Sequence, residues 1–349
     1  MIIGGRKMLN IAYIGNGKST NRYNAPFAQK VEGINIKTIY SPSGKIHWEK
    51  IDGVNYTDDI NVIWDDEELD LVVVTTPSVL HYPLALEALE KGKNVLVEKP
   101  FTETSEEAKK LFALAKEKGL FIQAYQNRRF DSDFLTVQKV IESGKLGDLL
   151  ELEMHFDYFR PEVPENFELI GGEMKPIDSF LYGHGTHTVD QVLSYFGNPD
   201  TIHYDVRQIM GDGKLNDYFD LDFYYEEPFK VSIKSSYFRL NKRPSFELYG
   251  KKGSFIKHTP DRQEEHLKQF YMPTNDDFGV DLPEHYGTLT YIDEDGNYHE
   301  EKVVTEVGDY SKVYQAVYDS IVHGKDKLIK DEETVRQIEI LEEGFQTIK

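Results

Sequence analysis

Three short stretches carry residue types whose spacing could do chemistry. "IAYIGNGKST" (residues 11–20) sets Gly15 and Gly17 at the end of an apolar run. Glycines there open a tight strand-to-helix turn, where backbone N–H groups and the helix N-terminus accept a pyrophosphate. "VLVEKP" (95–100) ends a second apolar run with Lys99 and Pro100. A lysine past the carboxyl end of a strand can hold a substrate oxygen and pass its proton, with burial lowering its pKa toward the working range. Its plain alternative is a surface lysine. "GHGTHTVD" (183–190) places His184, His187 and Asp190 three apart. On a helix they share one face, where imidazole and carboxylate suit a metal ion. A proton-transfer histidine and a core histidine bonded to backbone are the other readings.

The first stretch also reads as the end of a phosphate-binding P-loop, "GKS" at Gly17, Lys18 and Ser19. That motif needs a glycine five positions before Gly17, where Ala12 stands, and the strand "LVVVTT" lacks an acidic end to hold magnesium. The dinucleotide reading fits better, although Thr20 stands where a third glycine is usual.

These residues need elements to position them. Apolar strand runs at 9–15, 34–40, 69–77, 94–100 and 120–125 alternate with helix patterns. Thr104 and Glu107 form a capping box, and Lys116, Lys118 and Gly119 mark the end of that helix. Five such alternations predict a doubly wound parallel sheet, and ligands bind at the carboxyl edge of such sheets. Candidates at that edge are Gly15, Asn16, Gly17, Lys18 and Ser19 after the first strand, and Thr76, Pro77 and His81 after the third. Glu98 and Lys99 follow the fourth, and Gln126 the fifth. Beyond residue 126 a helix ends near Gly144. Long alternating stretches at 149–159, 201–210, 218–226, 229–238 and 245–250 then predict a largely antiparallel sheet with one covered face. "IDEDGNY" (292–298) reads as a solvated hairpin turn, and helices close the chain over 310–323 and 332–347. The expected domains are 1–126, binding a dinucleotide, and 127–349, binding substrate and carrying oligomer contacts, with the last helix able to pack back on the first.

The second strand ends "YSPSGK", and no acidic residue lies between Glu32 and Glu49. NAD is usually held by an acid at that strand end. Ser41, Ser43 and Lys45 suit a 2′-phosphate instead, so NADP is expected ahead of NAD; a merely polar loop is the alternative.

Composition bounds the rest. The 349 residues include no cysteine, which excludes disulfides, thiolate nucleophiles and iron–sulfur clusters. A net charge of −21 argues against nucleic acid as a partner. No apolar run is long enough for a membrane helix, and the N-terminus, where Met8 offers an alternative start, has no signal-peptide pattern. A cytoplasmic protein is expected.

Gly-x-Gly after the first strand, "EKP" after the fourth and "GTHTVDQ" in the β-rich second part resemble the Gfo/Idh/MocA oxidoreductase family. "VLVEKPF", "YQNRRFDSDFL", "YFRPE" and "GKKGSFIK" look like its branch of scyllo-inositol dehydrogenase type. The resemblance implies an α/β fold: an N-terminal Rossmann doubly wound parallel sheet plus a C-terminal α+β domain with a large, mostly antiparallel open sheet. It implies dimer or tetramer contacts through that sheet, and hydride transfer between nicotinamide and a carbinol of a sugar, polyol or cyclitol. Lys99 would bind the reacting hydroxyl, a cis bond would precede Pro100, and His187 would share the proton transfer; no metal is implied. The family's aspartate position holds Gly183, a departure that adjacent Tyr182 could cover. Arg128, Tyr158 and Arg160 are further substrate candidates, with an inter-domain ion pair (for Arg128 and Arg129) and an ordinary sheet-surface role as their alternatives. A non-catalytic nucleotide-binding regulator, as in Gal80-like proteins, and a dehydrogenase for a non-sugar substrate are the rival functions.

Overall fold

The computed structural model describes residues 2–3, 6–161, 174–211, 214–226 and 228–348. Glu162, the last residue of "YFRPE", lies outside them. A two-residue ribbon, β1 (Ile2–Ile3) and β2 (Arg6–Lys7), precedes the first sheet. The chain divides into two compact units. The first comprises Met1–Asn127, Leu267–Asp276 and Tyr310–Ile338; the second comprises Arg128–His266, Asp277–Asp309 and Glu339–Lys349.

The first unit is built on six parallel strands: β3 (Leu9–Ile14), β4 (Ile34–Tyr40), β5 (Asn55–Thr57), β6 (Leu71–Val74), β7 (Asn94–Val97) and β8 (Ile122–Ala124). Their order is β5-β4-β3-β6-β7-β8. The chain therefore leaves β3 toward one edge and returns to β6 on its other side, so the ends of β3 and β6 form the switch point where such sheets open a ligand crevice. Every residue of β3 and β6 is buried, as strands covered on both faces require. Helices α1 (Ala25–Ala28), α2 (Asn61–Trp64), α3 (His81–Glu90) and α4 (Ser105–Lys118) connect the strands. The α4 capping box forms as the sequence predicts, Thr104 accepting from the Glu107 N–H, and Gly119 closes the helix in the left-handed region.

The sequence reading gave five strands here; the sixth, β5, is a correction. Its three residues, Asn55–Thr57, are exposed or half-buried, so no apolar run announces them. The edge position, with one neighbour only, is why a strand this short and polar suffices.

The second unit carries an eight-stranded sheet, order β10-β11-β12-β9-β13-β14-β15-β16. Its strands are β9 (Leu149–His155), β10 (Thr201–Arg207), β11 (Tyr218–Tyr224), β12 (Lys230–Ser236), β13 (Phe246–Gly250), β14 (Gly253–Lys257), β15 (Gly287–Ile292) and β16 (Tyr298–Val303). Every pairing is antiparallel except β12 with β9. In β11, Phe219, Leu221 and Phe223 turn inward while Asp220 and Asp222 turn outward. The buried face packs on α5 (Ser132–Glu142) and α6 (Thr186–Phe196), whose Phe134, Val137, Val189 and Val192 share its core. α7 (Arg262–Lys268), α8 (Ser311–His323) and α9 (Asp331–Phe345) complete the chain. Residues 293–297 turn the β15–β16 hairpin, as expected.

Candidate active site

The glycine turn after β3 is fixed by what surrounds it. Gly15 has φ +123°, and a Cβ there would meet Thr75 Oγ1 at 2.7 Å and Thr75 O at 2.8 Å. Only glycine fits, both by conformation and by space. At Gly17 a Cβ would meet nothing within 4 Å, and Gly17 and Lys18 are exposed at the head of the helical run that begins at Ser19. Asn21 Nδ2 donates to Asn16 Oδ1 and to Gly17 O, both at 2.9 Å, which orders the loop from beneath. Thr20 takes over the packing role of the absent third glycine. Its buried hydroxyl donates to Gly15 O at 2.8 Å and lies 2.7 Å from Thr75 Oγ1.

The same helix braces the "EKP" loop. Glu98 is buried, and its Oε1 accepts from Ser19 Oγ at 2.5 Å and Asn24 Nδ2 at 2.8 Å. Its Oε2 accepts from the Lys99 N–H at 2.9 Å. Behind it, Asn24 Oδ1 accepts from Tyr314 OH at 2.7 Å, and Tyr314 bonds Tyr13 at 3.0 Å. Burial pushes both tyrosine pKa values well up, so this chain of groups stays neutral up to the Glu98 carboxylate. The Lys99–Pro100 bond is cis. His81 lies between the loops after β6 and β7: Nδ1 is 2.7 Å from Pro100 O and Nε2 is 3.0 Å from Thr76 O. Burial lowers its pKa, so a neutral ring donates to one carbonyl at a time. Ser19, Glu98 and His81 thus hold the loops, while Lys99 stands half-buried at the carboxyl edge of the sheet.

Beyond the strand ends of β3, β4 and β5 opens a pocket of about 220 Å³, lined by Asn16, Ile39, Ser41, Gly44, Lys45, Ile46, Tyr56, Thr57 and Asp58. Ser41 Oγ and Ser43 Oγ are 3.3 Å apart, and Ser43 Oγ accepts from the Lys45 N–H. Of the three residues expected to meet a 2′-phosphate, Ser41 and Lys45 line it and Ser43 does not; Asp58, which that reading missed, lines it too. Its signal was "NYTDD" (55–59), legible only once β5 is known to be a strand.

These residues fit a dinucleotide. Gly17 leaves open the space a side chain would take, and the pocket adjoins the same loop through Asn16. Among the described residues, Thr76 Oγ1 and Gln126 Oε1 are buried without a hydrogen-bond partner, both at the carboxyl edge. Gln126 Nε2 donates to Gln337 at 3.0 Å.

In the second unit, His187 is 9% exposed in the first turn of α6. A wide helical turn, Leu181–Gly185, leads into it. Tyr182 is fully buried in the core. Gly183 has open space around a Cβ. The metal reading of this stretch does not assemble: Asp190 is taken by Arg129, at 2.8 Å from Nε and 2.7 Å from Nη2. Among the described residues, three grouped ligand side chains occur instead at Glu153, His155 and Glu247 on the sheet. There His155 Nδ1 is held by Pro244 O, and Glu153 also meets Lys234. Arg128 pairs with Asp131 at 3.2 Å and Glu264 at 3.1 Å, so both arginines are in ion pairs within this unit. Arg160 lies over the rings of Tyr158 (4.9 Å) and Tyr237 (5.4 Å). The His184 ring packs on Phe180 at 4.5 Å and Tyr158 at 5.2 Å. Arg160 is exposed and Tyr158 half-buried.

Known proteins resemble the whole chain. Residues 9–126 match the family model described as "Oxidoreductase family, NAD-binding Rossmann fold", and residues 138–349 match "Oxidoreductase family, C-terminal alpha/beta domain". The uncharacterized oxidoreductase YhhX of Escherichia coli (strain K12) is 42% identical, over 97% of this chain and 96% of its own. The scyllo-inositol 2-dehydrogenase (NADP(+)) IolW of Bacillus subtilis (strain 168) is 31% identical, over 100% and 97%. The crystal structure of an oxidoreductase from Bacillus cereus superposes with a TM-score of 0.88 at 40% identity, covering 97% of this chain and 96% of that one.

Proposed function

The chain belongs to the Gfo/Idh/MocA oxidoreductase family, and we propose that it moves hydride between a nicotinamide and a carbinol of a sugar, polyol or cyclitol. It is an NAD(P)-dependent oxidoreductase of the dehydrogenase and reductase class. One observation carries the finer reading. The phosphate turn and Lys99 are built as one piece, because Glu98 is bonded both to the helix after Gly17 and to the Lys99 backbone. A loop whose lysine is indexed to a cofactor cradle is positioned for chemistry on that cofactor.

When bound, the nicotinamide supplies the hydride chemistry. The chain's own residues do the rest. Gly15, Asn16, Gly17, Lys18 and Ser19 would hold the pyrophosphate, with Thr76, Pro77 and Gln126 along the same edge and Ser41, Ser43 and Lys45 at the adenosine end. NADP is proposed ahead of NAD, in keeping with the cofactor in the IolW name. Lys99 holds the reacting oxygen, and His187 takes or returns its proton. Tyr158 and Arg160 are proposed to face substrate. Arg128 enters only through its carboxylate pairs. Domains divided near residue 126, an oligomer formed through the C-terminal sheet and a cytoplasmic location are proposed alongside. Among the described residues no helix is long and apolar enough to cross a membrane.

The test is oxidation of NADPH and of NADH with a panel of keto-inositols and keto-sugars, wild type beside Lys99→Met. Turnover that falls by two orders of magnitude or more in the variant, with nucleotide affinity kept, supports the assignment. Equal loss of turnover and affinity rejects the role of Lys99. Tight nucleotide binding with no turnover on any substrate favours the regulator reading that Gly183 keeps open.

A further inference from the structure

The adenosine-end pocket contains an acid the sequence reading did not expect there. β5 pairs in parallel with β4, with Tyr40 opposite Thr57, and the Ser41 N–H donates to Thr57 O at 3.0 Å. That register continues past the strand ends and sets Asp58 beside Ser41, the position where an NAD-selecting acid usually stands. Asp58 closes over the turn: a Cβ on Gly44 would lie 3.3 Å from its Oδ2. Lys45, the next residue after Gly44, lines the same pocket. Among the described residues neither the Lys45 ammonium nor the Asp58 carboxylate has a hydrogen-bond or ion-pair partner. Two unpaired opposite charges therefore face one small pocket.

We infer that Asp58 is a specificity-determining residue for the coenzyme: it accepts from the adenosine ribose hydroxyls and opposes a 2′-phosphate that Lys45 attracts. This rests on the proposed nucleotide-dependent function. NADP then keeps its advantage only in part, and NAD remains a usable ligand. The two charges act by simple Coulomb terms in a solvent-open pocket. A carboxylate roughly 6 Å from a phosphate of about −1.5 charge changes its affinity about fivefold in water. The effect shrinks as salt screens it.

The experiment is the dissociation constants of NAD+ and NADP+, measured by calorimetric titration at low and at high salt, on the full chain. Wild type is compared with Asp58→Asn, Asp58→Ser and Lys45→Met. Both Asp58 variants change an exposed side chain, and circular dichroism confirms the fold. The expected result is an NADP+ over NAD+ preference raised about fivefold in both Asp58 variants, lowered by a similar factor in Lys45→Met, and both shifts reduced at high salt. A preference unchanged within twofold in the Asp58 variants, with both nucleotides still bound, overturns the inference and leaves the proposed function standing. If wild type binds neither nucleotide, the proposed function fails and the inference with it.

Discussion

The substitution Thr20→Val tests whether a buried hydroxyl does the work of the missing glycine. Thr20 Oγ1 donates to Gly15 O, and Thr75 Oγ1 has three acceptors in reach, Thr20 Oγ1 at 2.7 Å, Ile14 O at 3.1 Å and Gly15 O at 3.5 Å. Valine keeps the shape and removes the hydroxyl. Thr75 can then turn its proton to Ile14 O and stay satisfied. Gly15 O recovers little, because the next hydroxyl, Thr75 Oγ1, is 3.5 Å away and has Ile14 O closer, at 3.1 Å. One buried acceptor is left without its donor, which costs about 1–2 kcal/mol. Thr75→Val alone leaves the Gly15 bond intact and costs less. The two losses overlap, so the double variant should lose less than the sum, with a coupling of about 0.5–1 kcal/mol. Thr20→Gly, which restores the more usual motif, should cost more than Thr20→Val, since it adds a void and about 1 kcal/mol of helix propensity. The assay is urea unfolding followed by circular dichroism. With two compact units the transition need not be two-state, and the shift belongs to the phase of the first unit. Stability of Thr20→Val within about 0.5 kcal/mol of wild type, or strictly additive losses, would refute the reasoning.

Asp133 is buried near Asp261, and its pKa is raised to about 7, mainly by burial and then by the Asp261 charge. The folded chain thus holds this proton more tightly than the unfolded one, where the group titrates near 3.8. Its contribution to stability is full below about pH 4 and is lost as pH rises to about 7. Asp133→Asn should flatten that slope, which urea midpoints measured from pH 4 to 8 will show; parallel curves for the two proteins would reject it. At Gly183 a side chain meets open space, the backbone φ is not positive, and a helix N-terminus follows. Gly183→Asp should therefore fold with stability within about 1 kcal/mol of wild type, its carboxylate favoured by the helix dipole. A loss of several kcal/mol in thermal unfolding would mean the turn excludes the family's usual aspartate.

Much of this protein was legible without coordinates, wherever a pattern is local. The all-buried runs of β3 and β6 announce a parallel sheet because both faces are covered, and Thr104, Glu107 and Gly119 mark α4 because capping involves neighbours in sequence. The alternation in β11 shows which face is covered for the same reason. Gly15 belongs to this class too: a turn that needs positive φ selects glycine locally.

Tertiary structure decided what depends on register between distant segments. β5 is three polar residues long, and only its pairing with β4 makes it a strand and brings Asp58 beside Ser41. Thr20 looks like a flaw in a motif until Thr75, 55 residues away, completes its hydrogen bonds. The spacing of His184, His187 and Asp190 fits a metal face, yet Asp190 is neutralised by Arg129, 61 residues away. Spacing along one chain fixes which groups share a face; which charge meets which depends on the packing of elements the sequence keeps far apart, and a short-range pattern carries no record of it.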